Sequence, residues 1–439
     1  MKRRTFLTTA AAAAVVTMIS GCGSTAAAPS AADPQATVDY SGTLSVLTKF
    51  GGDPLQPYFE KIAKSYQKMH PEVKIQLIQE TDQSIKDKTK TLTASGALPD
   101  VYFSWTGNWA ENFVSGGLAA DLSAVIGPDS AWGKTFGAAS VDAFKFDGKY
   151  YGVPLYNDAK FMGYNKAIFS KLGISVPSTF DELLGVCAKI KSAGYEPIAF
   201  GNKDGWPALH FVQQLLAYNV PAAILAADYI PSTAKFDDPG YVKALGQFKE
   251  LADQCTGSGA QSNGVLYSTA QQALASGQAA MYYQEILEFD NVDAPANQIS
   301  KDGFGFFQLP APSGASGDSK ALEGAPEGYL INAKSKNVAL AVDFMKFVTE
   351  KENASLLSSA PYGQPSTVLG AVDSSNSSAS VAAGVEQINK ADVLVPWLDT
   401  ANVPDVADTW LSATEGLITG NLTPSQVMDQ VRKASAGAK

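Results

Sequence analysis

The sequence predicts an α/β fold, and three observations carry that prediction. Short apolar runs alternate with longer stretches of helical periodicity. The order strand–helix–strand–helix–strand recurs along the chain, and glycine, proline and polar clusters separate its segments. Such connections make strands parallel, with helices covering them. The chain has 439 residues, 45% of them hydrophobic and 17% charged, which suits two or three domains with ample core.

Taken in order, Thr43-Leu-Ser-Val-Leu-Thr48 alternates like a strand and ends at the turn-prone Gly51-Gly52-Asp53-Pro54. A helix follows from about Leu55 to Met69, with Phe59, Ile62, Ala63 and Tyr66 on its apolar face, until His70-Pro71 stops it. Residues 73–78 read as a strand, and a further helix leads to the strand at Asp100–Ser104. Met162–Asn165 is strand-like. A helix from Thr179 to Ala193 opens on Thr179-Phe-Asp-Glu182, a capping-box pattern. Pro197–Phe200 is a short strand, and a helix bearing Ala270, Ala273 and Leu274 precedes a strand at Ala279–Tyr283. Val338–Thr349 is strongly amphipathic, Ser374–Ala383 reads as a polar loop, and Thr423-Pro-Ser-Gln426 caps a last helix.

A formal net charge of -10 argues against nucleic acid or an anionic membrane surface as the main partner. The two histidines, His70 and His210, and the three cysteines show no CxxC or HExxH spacing. Neither a metal centre nor a cofactor is expected. Lys2, Arg3 and Arg4 precede a small-residue apolar run from Thr8 to Ile19, the pattern of an export signal. Twelve helical residues span about 18 Å, short of the roughly 30 Å hydrocarbon core of a bilayer. Ile19-Ser20-Gly21-Cys22 resembles a bacterial lipobox, which implies cleavage before Cys22 and a lipid on its thiol. Arg3-Arg4-Thr5-Phe6-Leu7 resembles a twin-arginine motif, although Lys2 stands where Ser or Thr is commoner, so both export routes stay open. Residues 1–21 are expected as the signal and residues 22–42, poor in apolar bulk, as a flexible tether. The protein should then sit lipid-anchored on the outer face of the cytoplasmic membrane. Cys187 and Cys255 either form a disulfide or remain two separate buried thiols.

Several longer segments now share an order with a known family. They are Pro99-Asp-Val-Tyr-Phe-Ser-Trp105 with Gly116-Gly-Leu-Ala-Ala-Asp-Leu122, and Asp147-Gly-Lys-Tyr-Tyr-Gly-Val-Pro154 with Tyr164-Asn-Lys166. Then come Pro177-Ser-Thr-Phe-Asp-Glu-Leu183, Ala193-Gly-Tyr-Glu-Pro-Ile198, Ala275-Ser-Gly-Gln-Ala-Ala-Met281 and Phe304-Gly-Phe-Phe-Gln-Leu-Pro310. From about Thr43 to Ala434 the chain resembles the family 1 extracellular solute-binding proteins, the sugar-binding subunits of ATP-binding-cassette importers, a group that includes maltose-binding protein. The resemblance implies a two-lobe periplasmic-binding-protein-like fold of type II, with two or three crossovers and a cleft between the lobes. It places residues 43–155 and 308–350 in the first lobe, and residues 160–302 and 352–439 in the second. It also implies a monomer that binds a carbohydrate, closes on it and presents it to membrane permease subunits, without catalysis.

A pyranose offers an apolar face to aromatic rings and a rim of hydroxyls to carboxylates and amides. Strand ends border the cleft in such sheets. Trp105, Asn108 and Trp109 follow the third strand, where the family places first-lobe contacts. Tyr156, Asn157 and Asp158 sit at the first crossover, where Asp158 either bonds sugar hydroxyls or ties down the hinge. Trp206 matches a stacking position of the family. Tyr283, Gln284 and Glu285 close a strand where many relatives have glycine followed by tryptophan, a departure that leaves Tyr283 or Gln284 to substitute. Glu327, Tyr329, Lys49 and Phe50 are further candidates, whereas Trp397 and Trp410 either line the cleft or pack under the C-terminal helices, and packing is the favoured expectation. Alternative readings keep the fold with a polyamine or peptide as ligand, or make the protein an adhesin or sensor. In a third, two carboxylates such as Asp158 and Glu285 act on a glycoside, although no GxSxG motif or P-loop points to other chemistry.

Overall fold

Apolar alternation and tight turns give nine principal strands in the computed structural model, which describes residues 33–438 apart from 258 and 392. The export segment and Cys22 lie outside the described residues. The strands are β1 (Gly42–Thr48), β2 (Val73–Gln79), β3 (Val101–Ser104), β4 (Gly152–Asn165) and β5 (Glu196–Ala199), followed by β6 (Ala279–Glu285), β7 (Phe304–Phe307), β8 (Leu322–Ile331) and β9 (Leu394–Val395). Among the described residues they form one mixed sheet in the order β2-β1-β3-β8-β4-β6-β5, with β7 also paired to β4 and β9 to β8. β1 runs parallel to β2 and β3, while β8 is antiparallel to both β3 and β4.

β4 organises the molecule. The expected strand at Met162–Asn165 is only the end of a 14-residue strand. Pro154 and Asn157-Asp158, expected at the first crossover, lie within this strand, with Asp158 opposite Ala325 and Asn157 opposite Pro326 of β8. Val153, Leu155 and Tyr156 of β4 enter a first core with Leu44, Tyr102, Tyr329 and Phe344. Met162 enters a second core with Phe169, Leu209, Phe248 and Trp410, and Phe161 a smaller third one with Tyr282 and Phe289. One strand thus carries the chain from one core to the next. Ala354, Leu357, Tyr362, Val368 and Ala371 also pack in the first core.

Helix termini follow local chemistry. Thr179 Oγ1 accepts from Glu182 N at 3.2 Å, while Glu182 Oε2 accepts from Ser178 N at 2.7 Å, one residue earlier than a standard box. The last helix, Pro424–Gly437, has the full box, with Gln426 Oε1 accepting from Thr423 N at 2.8 Å. The serine-rich run expected as a loop to Ala383 becomes helical at Ala379, because Ser378 Oγ accepts from Val381 N at 3.2 Å and caps the helix Ala379–Lys390. The end of the expected tether is ordered: Val38 packs against the first core and the Tyr40 ring stacks on His70 at 4.0 Å between centroids. Cys187 and Cys255 are bonded, with Cα atoms 5.1 Å apart, and both are buried in the second core. No helix among the described residues is long and apolar enough to cross a membrane.

Candidate ligand-binding cleft

The period of two along β4 sends Tyr156, Asp158 and Lys160 to one face and Asn157 to the other. β8, opposite, contributes Glu323 and Glu327 to the first face, and β6 contributes Glu285, directly across from Lys160. Ion pairs tie these groups together. Lys49 Nζ, at the end of β1, lies 2.6 Å from Glu327 Oε2 and 3.1 Å from Asp82 Oδ1. Lys160 Nζ lies 3.2 Å from Glu285 Oε1, and the Tyr156 hydroxyl donates to Glu327 Oε2 at 2.6 Å.

Aromatic rings frame this cluster. Trp105, at the end of β3, has the Lys49 and Lys86 ammonium groups 5.8 Å and 5.1 Å from its ring centroid. Trp206 opens the helix Trp206–Asn219, with Lys160 5.3 Å from its ring. His210, one turn later, packs 5.2 Å from Trp206 and 4.9 Å from Trp397. A cavity of 300 Å³ is lined by Lys49, Asp82, Trp206, Tyr267, Glu285 and Tyr362. Beside it a void of 20 Å³ is bounded by Trp105, Trp206, His210, Trp397, Lys86 and Asp399. A larger cavity of 710 Å³ lies on the Asn157 side of β4, but among the described residues its lining carries no charged side chain.

Burial sets the protonation states. Burial first, then the charges of Glu285 and Glu327, push the Asp158 carboxyl well above the ordinary range, which favours its protonated form. Burial likewise pushes Glu323 up, and it pulls His210 down with help from Lys160 and Lys86. His210 Nδ1 and Glu323 Oε1 are in hydrogen-bond contact at 2.8 Å, and both shifts favour the neutral forms of the two groups. Asp82 is pushed up by burial, but Lys49 and Lys86 outweigh that and hold it below the usual value. Among the described residues, both Asp158 carboxyl oxygens, Glu323 Oε2 and the indole nitrogens of Trp206 and Trp397 have no hydrogen-bond partner.

Glu288, at the cavity wall, is pushed up to about 7, mainly by burial and against the pull of Lys160. An unfolded chain loses that proton near the ordinary carboxylate value, so the folded state holds extra protons between there and pH 7. Stability should therefore fall as pH rises through that window. Urea melts at pH 4.5, 6 and 8 should show a shallower fall for Glu288→Gln than for the unchanged protein; equal slopes would refute this origin.

The cleft brings together Lys49, Trp105, Tyr156, Asp158, Trp206, Glu285 and Glu327 of the residues expected from sequence. It does not gather the rest. Asn157 points to the far side of β4, where its Oδ1 accepts from Ser140 Oγ at 3.1 Å. Tyr283 faces the second core, 4.5 Å from the Phe211 ring, and Gln284 points the other way, beside Gly163 and Phe304. Tyr329 and Phe50 are first-core residues, with the Tyr329 hydroxyl donating to Thr48 Oγ1 at 2.8 Å. Trp109 stands behind Trp105, edge to face at 5.2 Å. Asn108 donates to the backbone oxygens of Tyr229 and Ala401, each at 3.1 Å. Trp410 packs in the second core as expected, but Trp397 reaches the cleft. The residues missed were Asp82, Lys86, Lys160, His210, Tyr267, Glu323 and Asp399. For three the signal was present: Lys160 is two residues from Asp158, Glu323 four from Glu327 along a strand, and His210 four from Trp206 along a helix.

A family model described as bacterial extracellular solute-binding protein matches residues 52–355. The diacetylchitobiose-binding protein DasA of Streptomyces coelicolor is 24% identical over 382 residues, covering 85% of each chain. The multiple sugar-binding protein of Streptococcus mutans is 26% identical over 297 residues, covering 66% of this chain and 67% of its own. Among solved structures, a chitin oligosaccharide binding protein superposes with a TM-score of 0.82 at 22% identity, covering 91% of this chain and 99% of its own.

Proposed function

The chain belongs to the bacterial extracellular solute-binding protein family, and from that premise we propose that its cleft closes on a neutral carbohydrate and delivers it to the permease of an ATP-binding-cassette importer. The observation that carries the reading is the convergence of Trp105, Trp206 and Trp397 with the carboxylates of Asp82, Glu285, Glu327 and Asp399 around one void. Rings of that kind cover the C–H face of a pyranose, and the ionised groups take its hydroxyls. Relatives named for sugar binding support the same reading. Three lysines, Lys49, Lys86 and Lys160, pair with all four of these acids and offset most of their charge, which disfavours a polyamine. The same pairing leaves Glu285 and Glu327 engaged with cations, a state suited to recognition, and we assign no catalytic step to them. Export and a lipid on Cys22 would hold the protein at the outer face of the membrane beside its permease, acting as a monomer.

Melting curves of the chain from Cys22 onward, with Cys22 replaced by Ser, should shift upward with mono- or oligosaccharides and not with amino acids or polyamines. Trp206→Ala should weaken the best sugar by on the order of tenfold to a hundredfold. A shift with a polyamine or peptide and none with sugars would sink the carbohydrate assignment, and turnover of a glycoside would sink the binding role.

A further inference from the structure

Lys86 and Asn108 both reach from the first core to backbone or side chains around the second. Asn108 starts the helix Asn108–Ser115, whose Ala110 and Phe113 lie in the first core. Its amide meets the carbonyls of Tyr229 and Ala401, and flanking Leu225, Ala234 and Leu398 belong to the second core. The backbones approach closely here. Gly107 adopts φ 69°, and a Cβ there would stand 2.9 Å from Thr400 O and 3.1 Å from Ala401 Cα. Near this seam Lys86 Nζ pairs with Asp399 Oδ2 at 2.7 Å. Gly107 lines the uncharged 710 Å³ cavity, but neither Gly107 nor Asn108 is among the residues that line the two cavities between the tryptophans.

We propose that Gly107 and Asn108 form a latch that holds the two lobes together and sets solute affinity without touching the solute. The proposal rests on reading the cleft as one that opens and closes on a ligand. Asn108 is the donor of the latch: its two N–H groups satisfy two carbonyls that closing would otherwise leave unpaired. Gly107 gives the clearance that lets the second lobe come within reach. Because the latch stabilises only the closed form, it adds to the apparent affinity of every ligand by the same factor.

Asn108→Ala, Asn108→Asp and Gly107→Ala provide the test, after thermal melts show each variant folded. Asn108→Ala should weaken binding about tenfold, and Asn108→Asp more, because its carboxylate faces two carbonyls with no proton to donate. The factor should be the same for short and long sugars, with the change in the dissociation rate. Losses that differ between ligands would mean direct contact and would overturn the latch, as would no loss in any variant. Should no carbohydrate bind, the functional reading fails, while the same variants still decide the latch with whichever other solute raises the melting temperature of the unchanged protein. A weaker affinity of Asn108→Asp and Gly107→Ala for that solute supports the latch, and equal affinities overturn it.

Discussion

Replacing Cys187 and Cys255 together by serine should lower the free energy of unfolding by about 4 kcal/mol. The bond joins the helix Phe180–Ser192 to the last residue of the helix Pro239–Cys255 and closes a loop across a sequence separation of 68. Releasing a loop of that length returns conformational freedom to the unfolded chain, and the effect grows only slowly with further length. Two hydroxyls placed at fully buried positions would add a desolvation cost, so a Cys→Ala pair separates the two contributions. Urea denaturation of oxidised protein and both double variants measures the difference. A loss below about 1 kcal/mol in the Ala pair would show that the unfolded loop is already restrained without the bond.

The fold was legible wherever one face of a segment is apolar at a single period. The first strand and the helix carrying Phe59, Ile62, Ala63 and Tyr66 obey that rule, the strand ending at Ser104 is buried on both faces, and the boundaries of all three agree to within a residue or two. The length of β4 escaped because its middle lacks apolar alternation: Asp158 and Lys160 are buried in a charge cluster, so polarity there does not mean exposure. The candidate site divides along the same line. Residues at strand ends, such as Lys49, Trp105 and Glu285, could be found from where each strand stops. Asn157 and Asp158 are neighbours with equal chemical credentials, and only strand phase separates them. Lys86 and Asp399 lie 313 residues apart, and no local pattern announces that the fold brings them within hydrogen-bond distance.

Lys49→Met should cost about 3–5 kcal/mol of stability, because it leaves two carboxylates without their shared cation. Lys49 is 8% exposed and Glu327 2%, so water cannot take over the role. Burial pulls the Lys49 ammonium toward deprotonation, but Glu327, then Tyr156 and Asp82, more than reverse this and hold it well above the usual lysine range. A raised lysine contributes stability below its unfolded value and loses it only as pH rises through the higher folded one. Asp82, held low, contributes above its unfolded value and loses it as pH falls through the folded one. At pH 7 both contributions are therefore present, and the full effect of Lys49→Met should appear there. The double variant Lys49→Met/Glu327→Gln should recover much of the loss, since the amide oxygen still accepts from the Tyr156 hydroxyl and only Asp82, the more exposed of the two acids, stays charged. Urea melts of the two single variants and the double variant complete a thermodynamic cycle. A double variant no more stable than Lys49→Met would mean that the lysine acts by filling space over the Phe103 and Tyr156 rings, 5.1 Å and 5.7 Å from its nitrogen, and not by its charge.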